Sequence, residues 1–171
     1  MRDSNRGQLG LLALLVLALG TLSGAIWASR GFSMDESDME AYAAQPWVAT
    51  ASDGGIAIPE DGPTTHARFY GTFPRKLRHY AMERGVLSVE DAIRSMTSLP
   101  AQILGLRDRG LVREGMVADL VVLDLSRLRD NATFTDPHQH SDGVEWVFLG
   151  GETIRERGIS NGKLLGRVLT R

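Results

Sequence analysis

The sequence predicts an α/β chain in two parts, a piece of a TIM-like β/α barrel followed by a small β subdomain. Three observations predict it. An apolar run of strand length, residues 47–51, ends in Ser52-Asp53-Gly54-Gly55 and opens onto a long loop; in barrels, residues at the C-terminal ends of strands face the active site. Helical segments with capping signals flank that run as far as Gly105. Beyond Gly105 the apolar runs become short and β-rich and are joined by glycine turns.

Residues 9–28 carry no charge, with Arg2 and Arg6 before them and Arg30 after. Their length is close to the ~20 apolar residues that cross a bilayer. The basic start and Ser23-Gly24-Ala25 also suit an export signal. The other reading is a buried helix over 8–19, stopped by Gly20, and a strand over 24–28. The first reading makes residues 1–30 a membrane anchor or signal and the protein membrane-bound or exported; the second makes it cytoplasmic.

Ser33-Met34-Asp35-Glu36 reads as a capping box that starts a helix over 35–44. Pro46 ends it, because the residue before a proline is pushed out of the helical region. Residues 47–51 follow as the strand. Residues 52–65 contain Gly54, Gly55, Pro59, Gly62 and Pro63 and are expected to be loop. Phe73-Pro74 opens a helix to about Glu83, with Gly85 as its stop. Ser88-Val89-Glu90-Asp91 caps the next helix, whose Val89, Ala92, Ile93 and Met96 share one face expected to be buried. Pro100 allows a short helix over 101–104 that ends at Gly105.

In the second part, residues 110–115 predict a strand-turn unit and 118–123 a buried strand. Residues 144–149 and 152–155 flank Gly150-Gly151, the signature of a two-residue hairpin turn. A last strand is expected over 166–169. The domain division is therefore 1–30 as the apolar segment, 31–105 as partial barrel and 106–171 as β subdomain.

The 171 residues are 43% hydrophobic and 23% charged, with a formal net charge of -2. That balance supports a folded chain. It offers no basic stripe for nucleic acid. With no cysteine, the chain has neither a disulfide framework nor a thiolate metal site.

Four stretches carry a resemblance. They are "FSMDESDMEAYAAQPWVATASDG", "HARFYGTFPRKLRHY", "LSVEDAIRSMTSLPAQILGLRDRGLVREGMVADLVVLD" and "ATFTDPHQHSDGVEWVFLGGETI". In this order and spacing they resemble the C-terminal part of the amidohydrolase superfamily, in its N-acyl-D-amino-acid deacylase branch. The resemblance implies the C-terminal fragment of a TIM-like metal-dependent hydrolase barrel followed by a small β-sandwich subdomain. It implies hydrolysis of non-peptide C–N bonds in N-acyl-D-amino acids, with zinc as cofactor.

In such enzymes a metal lowers the pKa of a bound water and polarises the amide carbonyl. An aspartate takes the proton from that water and gives it to the leaving amine. Asp53 matches that aspartate, although Ser52-Asp53-Gly54 is also an ordinary turn sequence. His66 and Arg68, in the following loop, are the candidates for contact with the substrate carboxylate, for which Arg offers a bidentate fork; otherwise they are solvated loop residues.

No residue is assigned as a metal ligand. A catalytic zinc takes three protein ligands, and no histidine in this chain precedes Asp53 at a strand end. An N-terminal barrel portion supplied from elsewhere is therefore the expected partner, besides the N-acyl amino acid itself. Without it, the chain is expected to be inactive, a truncated product or a membrane-anchored interaction protein. His138-Gln139-His140 lies among loop formers and is expected away from the metal. Arg75, Lys76 and Arg78 are expected on a solvated helix face, and Trp47 and Trp146 in the core.

Overall fold

The computed structural model describes residues 35–62 and 65–169. The expectations for residues 1–30, and Ser33 as a helix cap, lie outside these residues. The chain divides into two compact units, Met1–Ala41 and Tyr42–Arg171. Of the first unit only the opening turns of helix α1, Glu36–Ala43, are described. The Asp35 carboxylate caps them, accepting the backbone N–H of Ser37 at 2.8 Å and its hydroxyl at 2.6 Å. Those two bonds, the hydroxyl's first, lower the Asp35 pKa.

In the second unit, residues 47–51 form no strand. A strand needs a paired neighbour, and no strand among the described residues lies beside them. The segment is tied to a helix instead. Thr50 donates its N–H to the Ser95 carbonyl at 2.9 Å, and the two hydroxyls meet at 3.0 Å. Trp47 was expected in the core but is 69% exposed.

Helix α2, Arg68–Arg75, starts five residues before the expected Phe73. No Ser, Thr, Asp or Asn marks that start. The His66 ring serves in their place, with Nδ1 accepting the Arg68 N–H at 3.1 Å. Pro74 has no N–H to give the carbonyl one turn back, and the next residues, Lys76–Glu83, are wound as a π-helix. Gly85, at φ 62°, closes this helix while Val86 N–H reaches the Tyr80 carbonyl at 2.9 Å.

Helix α3, Val89–Met96, is capped as expected: Ser88 Oγ accepts from Asp91 N at 3.0 Å and donates to Asp91 Oδ2 at 2.7 Å. Ala92 is fully buried and Val89 and Met96 are partly buried, but Ile93 faces out. Helix α4, Ser98–Leu104, starts three residues earlier than expected and ends at Gly105 with φ 72°.

The sheet is a four-stranded antiparallel meander. Its strands are β1 Leu120–Leu123, β2 Val144–Leu149, β3 Glu152–Glu156 and β4 Ile159–Ser160. Gly150 and Gly151, at φ 59° and 86°, make the expected hairpin, because such turns need positive φ at both central residues. Residues 110–115 are bends and turns, and 166–169 form no strand. Where a barrel strand and a sandwich were expected, the described residues contain this one sheet.

The core joins both halves of the sequence. Leu77, Ala81 and Ala92 pack with Leu128, and Leu87, Val89, Met96, Leu123 and Leu125 surround them. Lys76, expected on the solvated face with Arg75 and Arg78, is only 7% exposed, its Nζ 3.4 Å from the Ala43 carbonyl. The π turns carry it inward beside Leu77. Arg75 and Arg78 keep to the surface, paired with Asp130 at 3.6 Å and Glu83 at 2.6 Å.

Candidate functional site

The three residues singled out in the sequence come together at the start of α2. Asp53 has φ 48°, in the left-handed region where Asp is one of the few tolerated side chains. That turn aims its carboxylate at the helix, and Oδ2 meets Arg68 Nη2 at 3.1 Å. The Asp53 side chain is 87% exposed, so the pair stands in water with Arg68 half-exposed behind it. A Cβ on Gly54 would lie 2.9 Å from Phe69 Cδ1 and 3.2 Å from its Cα. Only glycine allows the chain after Asp53 to pass that close to the helix.

His66 sits between the loop and the helix. Its ring packs edge-on against Phe134 with centroids 5.1 Å apart, while Nδ1 caps α2. Partial burial lowers the His66 pKa, and the Arg68 charge adds to that; the Asp53 charge opposes it. The neutral ring, with Nδ1 unprotonated, is the form that caps the helix.

Two residues given no role from the sequence complete the cluster. The Tyr70 hydroxyl lies 2.6 Å from the Ala57 carbonyl and 3.1 Å from His138 Nδ1. His138 Nε2 lies 2.9 Å from the Gly62 carbonyl. His140 packs edge-on against Tyr70 at 5.4 Å. The segment 131–142 is loop apart from its bridge end at Asp142, and its His138, expected among loop formers, reaches the loop that follows Asp53. Tyr70 was within a recognised motif, but the contact partner lies 68 positions away, and no local pattern reports such a pairing.

The arrangement offers an exposed carboxylate, a guanidinium and an imidazole over a short stretch of surface. It suits proton transfer and the binding of a small anionic group. A separate groove of about 460 Å³ is lined by Arg109, Asp119 and the C-terminal Leu165, and contains none of these residues. Among the described residues, no three His, Asp or Glu side chains converge to hold a metal ion. A catalytic zinc therefore does not fit the described residues by themselves. No helix among them is long and apolar enough to cross a membrane.

Comparison with known proteins gives consistent results. The model of a family described as "Amidohydrolase family" matches residues 31–155. A D-aminoacylase from Alcaligenes xylosoxydans xylosoxydans is 38% identical over 149 residues, covering 87% of this chain and 29% of the relative. An N-acyl-D-aspartate deacylase from the same organism is 37% identical over 162 residues, covering 95% and 31%. Among solved structures, one neighbour is the N-acyl-D-glutamate deacylase of Bordetella bronchiseptica with zinc and a phosphonate mimic of the tetrahedral intermediate. It superposes with TM-score 0.66 at 32% identity, over 72% of this chain and 25% of the neighbour. The chain thus spans about three tenths of the length of the curated relatives it matches.

Proposed function

The chain belongs to the amidohydrolase family, and from that membership we propose that it forms the closing portion of a zinc-dependent hydrolase that removes the acyl group from N-acyl-D-amino acids. On this reading residues 31–105 belong to a TIM-like barrel, and residues 106–171 form the β subdomain, whose sandwich is completed in the whole enzyme. Residues 1–30 are a separate apolar segment. The observation that carries the reading is Asp53 itself. It is turned out of the chain by a left-handed φ, held by Arg68, and followed by a glycine that only a close approach to Phe69 requires.

Asp53 is the proton carrier. Its carboxylate accepts a proton at Oδ from the water whose oxygen bonds to the amide carbonyl carbon, then returns it to the amine nitrogen as the C–N bond breaks. An exposed carboxylate in a left-handed turn is free to approach a substrate without disturbing the core. Arg68 and His66 take the carboxylate of the amino acid. Arg68 meets Asp53 through Nη2, and its fork carries further N–H donors. The zinc named with the solved neighbour would take its ligands from the remaining barrel.

The test is deacylation of N-acetyl-D-methionine, N-acetyl-D-aspartate and N-acetyl-D-glutamate with added zinc. It uses the full chain alone and the chain co-expressed with the N-terminal seven tenths of a curated relative. Turnover that falls by about 10²-fold or more in Asp53→Asn supports the assignment. Equal rates in the two proteins overturn it. Absence of turnover from both preparations favours the second reading, a non-catalytic chain.

A further inference from the structure

We propose that His138 is a positioning residue for the segment that follows Asp53, and that it grips this segment fully only when its imidazole carries a proton on both nitrogens. The inference rests on the hydrolase reading for its purpose, and on proton counting for its substance.

Three contacts meet at Tyr70 and His138. The Tyr70 hydroxyl lies 2.6 Å from the Ala57 carbonyl, His138 Nε2 lies 2.9 Å from the Gly62 carbonyl, and the hydroxyl and Nδ1 are 3.1 Å apart. Both carbonyls can only accept. The bond to Gly62 therefore needs a hydrogen on Nε2, and the bond to Ala57 takes the single hydrogen of the Tyr70 hydroxyl. The remaining contact then needs a hydrogen on Nδ1, donated to the Tyr70 oxygen. All three bonds together require the imidazolium. A neutral ring satisfies two of them: with the hydrogen on Nε2 it leaves either Ala57 or the Tyr70–His138 contact without one, and with the hydrogen on Nδ1 it leaves Gly62 without one.

The two carbonyls lie four and nine residues beyond Asp53, on either side of the short 3₁₀ turn Pro59–Asp61. Gripping them holds the segment against α2, the helix that also carries Arg68. The groups around the ring are polar. His140 packs edge-on against Tyr70, Arg155 from β3 approaches His140 at 3.5 Å, and Asp136 on the same loop binds Gln139. The His140 pKa is lowered by burial and by the Arg155 charge.

The experiment is hydrogen exchange of the amides of residues 54–62 in the full chain, followed across pH and corrected for intrinsic rates. Nitrogen-15 NMR of the His138 ring reports its protonation in the same samples. In the native chain, protection falls about fivefold as the ring loses its second proton, the loss of one modest hydrogen bond. In His138→Gln and Tyr70→Phe, protection is low and independent of pH, while the amides of α3 exchange as in the native chain. Native-like protection and pH profile in His138→Gln overturn the proposal. If either variant fails to fold, the native chain alone decides: loop protection that stays constant while the ring titrates overturns it as well. No turnover is needed, so this outcome is independent of the deacylation test.

Discussion

Asp53 and Arg68 form an ion pair across the mouth of the loop, Oδ2 to Nη2 at 3.1 Å, with the Asp53 backbone in the left-handed region. An exposed pair of this kind contributes at most about 1 kcal/mol to stability. Asp53→Asn and Arg68→Ala are each expected to change the unfolding free energy by less than that, as read by urea denaturation. On the proposed function, Asp53→Asn is expected to lower kcat and Arg68→Ala to raise KM for substrates with a free carboxylate, as read by steady-state kinetics of the co-expressed preparation.

Acid weakens this fold in two stages. The pKa values of His66 and His140 are lowered from 6.5, chiefly by burial. The unfolded chain therefore takes up protons first, and stability falls as pH drops below 6.5 toward the lowered values. Glu83, Asp108 and Asp124 are lowered by hydrogen bonds, first of all from the side chains of Arg78, Arg109 and Ser126. Their contribution is present above their ordinary values of 4.5 and 3.8 and is lost as pH falls through the lowered ones. Thermal melts between pH 7 and pH 5 are expected to show the histidine step, and the double variant His66→Gln/His140→Gln is expected to lack it.

Lys76 shows the same linkage at the alkaline end. Burial lowers its pKa from 10.5, so the folded state releases its proton first, and stability rises as pH climbs from the lowered value toward 10.5. Among the described residues its contact with the Ala43 carbonyl, at 3.4 Å, is weak and offsets little of the desolvation. Lys76→Met keeps the packing and removes the charge. It is expected to raise stability near neutral pH by up to about 1 kcal/mol and to flatten the alkaline rise in denaturant midpoints.

Gly143 has φ 76°, and a Cβ there would lie 2.6 Å from Leu128 N and 2.7 Å from the Asp124 carbonyl. Both are backbone atoms beside the buried Leu128, and neither can move aside cheaply. Gly143→Ala is expected to cost about 3 kcal/mol or more. Gly150→Asn, at a hairpin position with open space and a φ that Asn tolerates, is expected to stay within about 0.5 kcal/mol. Chemical denaturation of the two variants checks the contrast.

Local signals in the sequence set several elements of this protein. The Ser88 cap, the Gly105 stop and the Gly150-Gly151 hairpin are each determined by residues within a few positions, and the structure has all three. The four motif stretches likewise led to the family. Tertiary context decided the rest. Residues 47–51 have strand composition, but among the described residues no strand lies beside them, and Thr50 binds Ser95 instead. His66 caps α2 although no residue type announces it, and the π turns after Pro74 bury a lysine that the sequence would leave in water. His138 meets Gly62 across 76 positions. Caps and turns are read from neighbours along the chain, whereas strand pairing, burial and long-range hydrogen bonds depend on which distant segment the fold brings alongside.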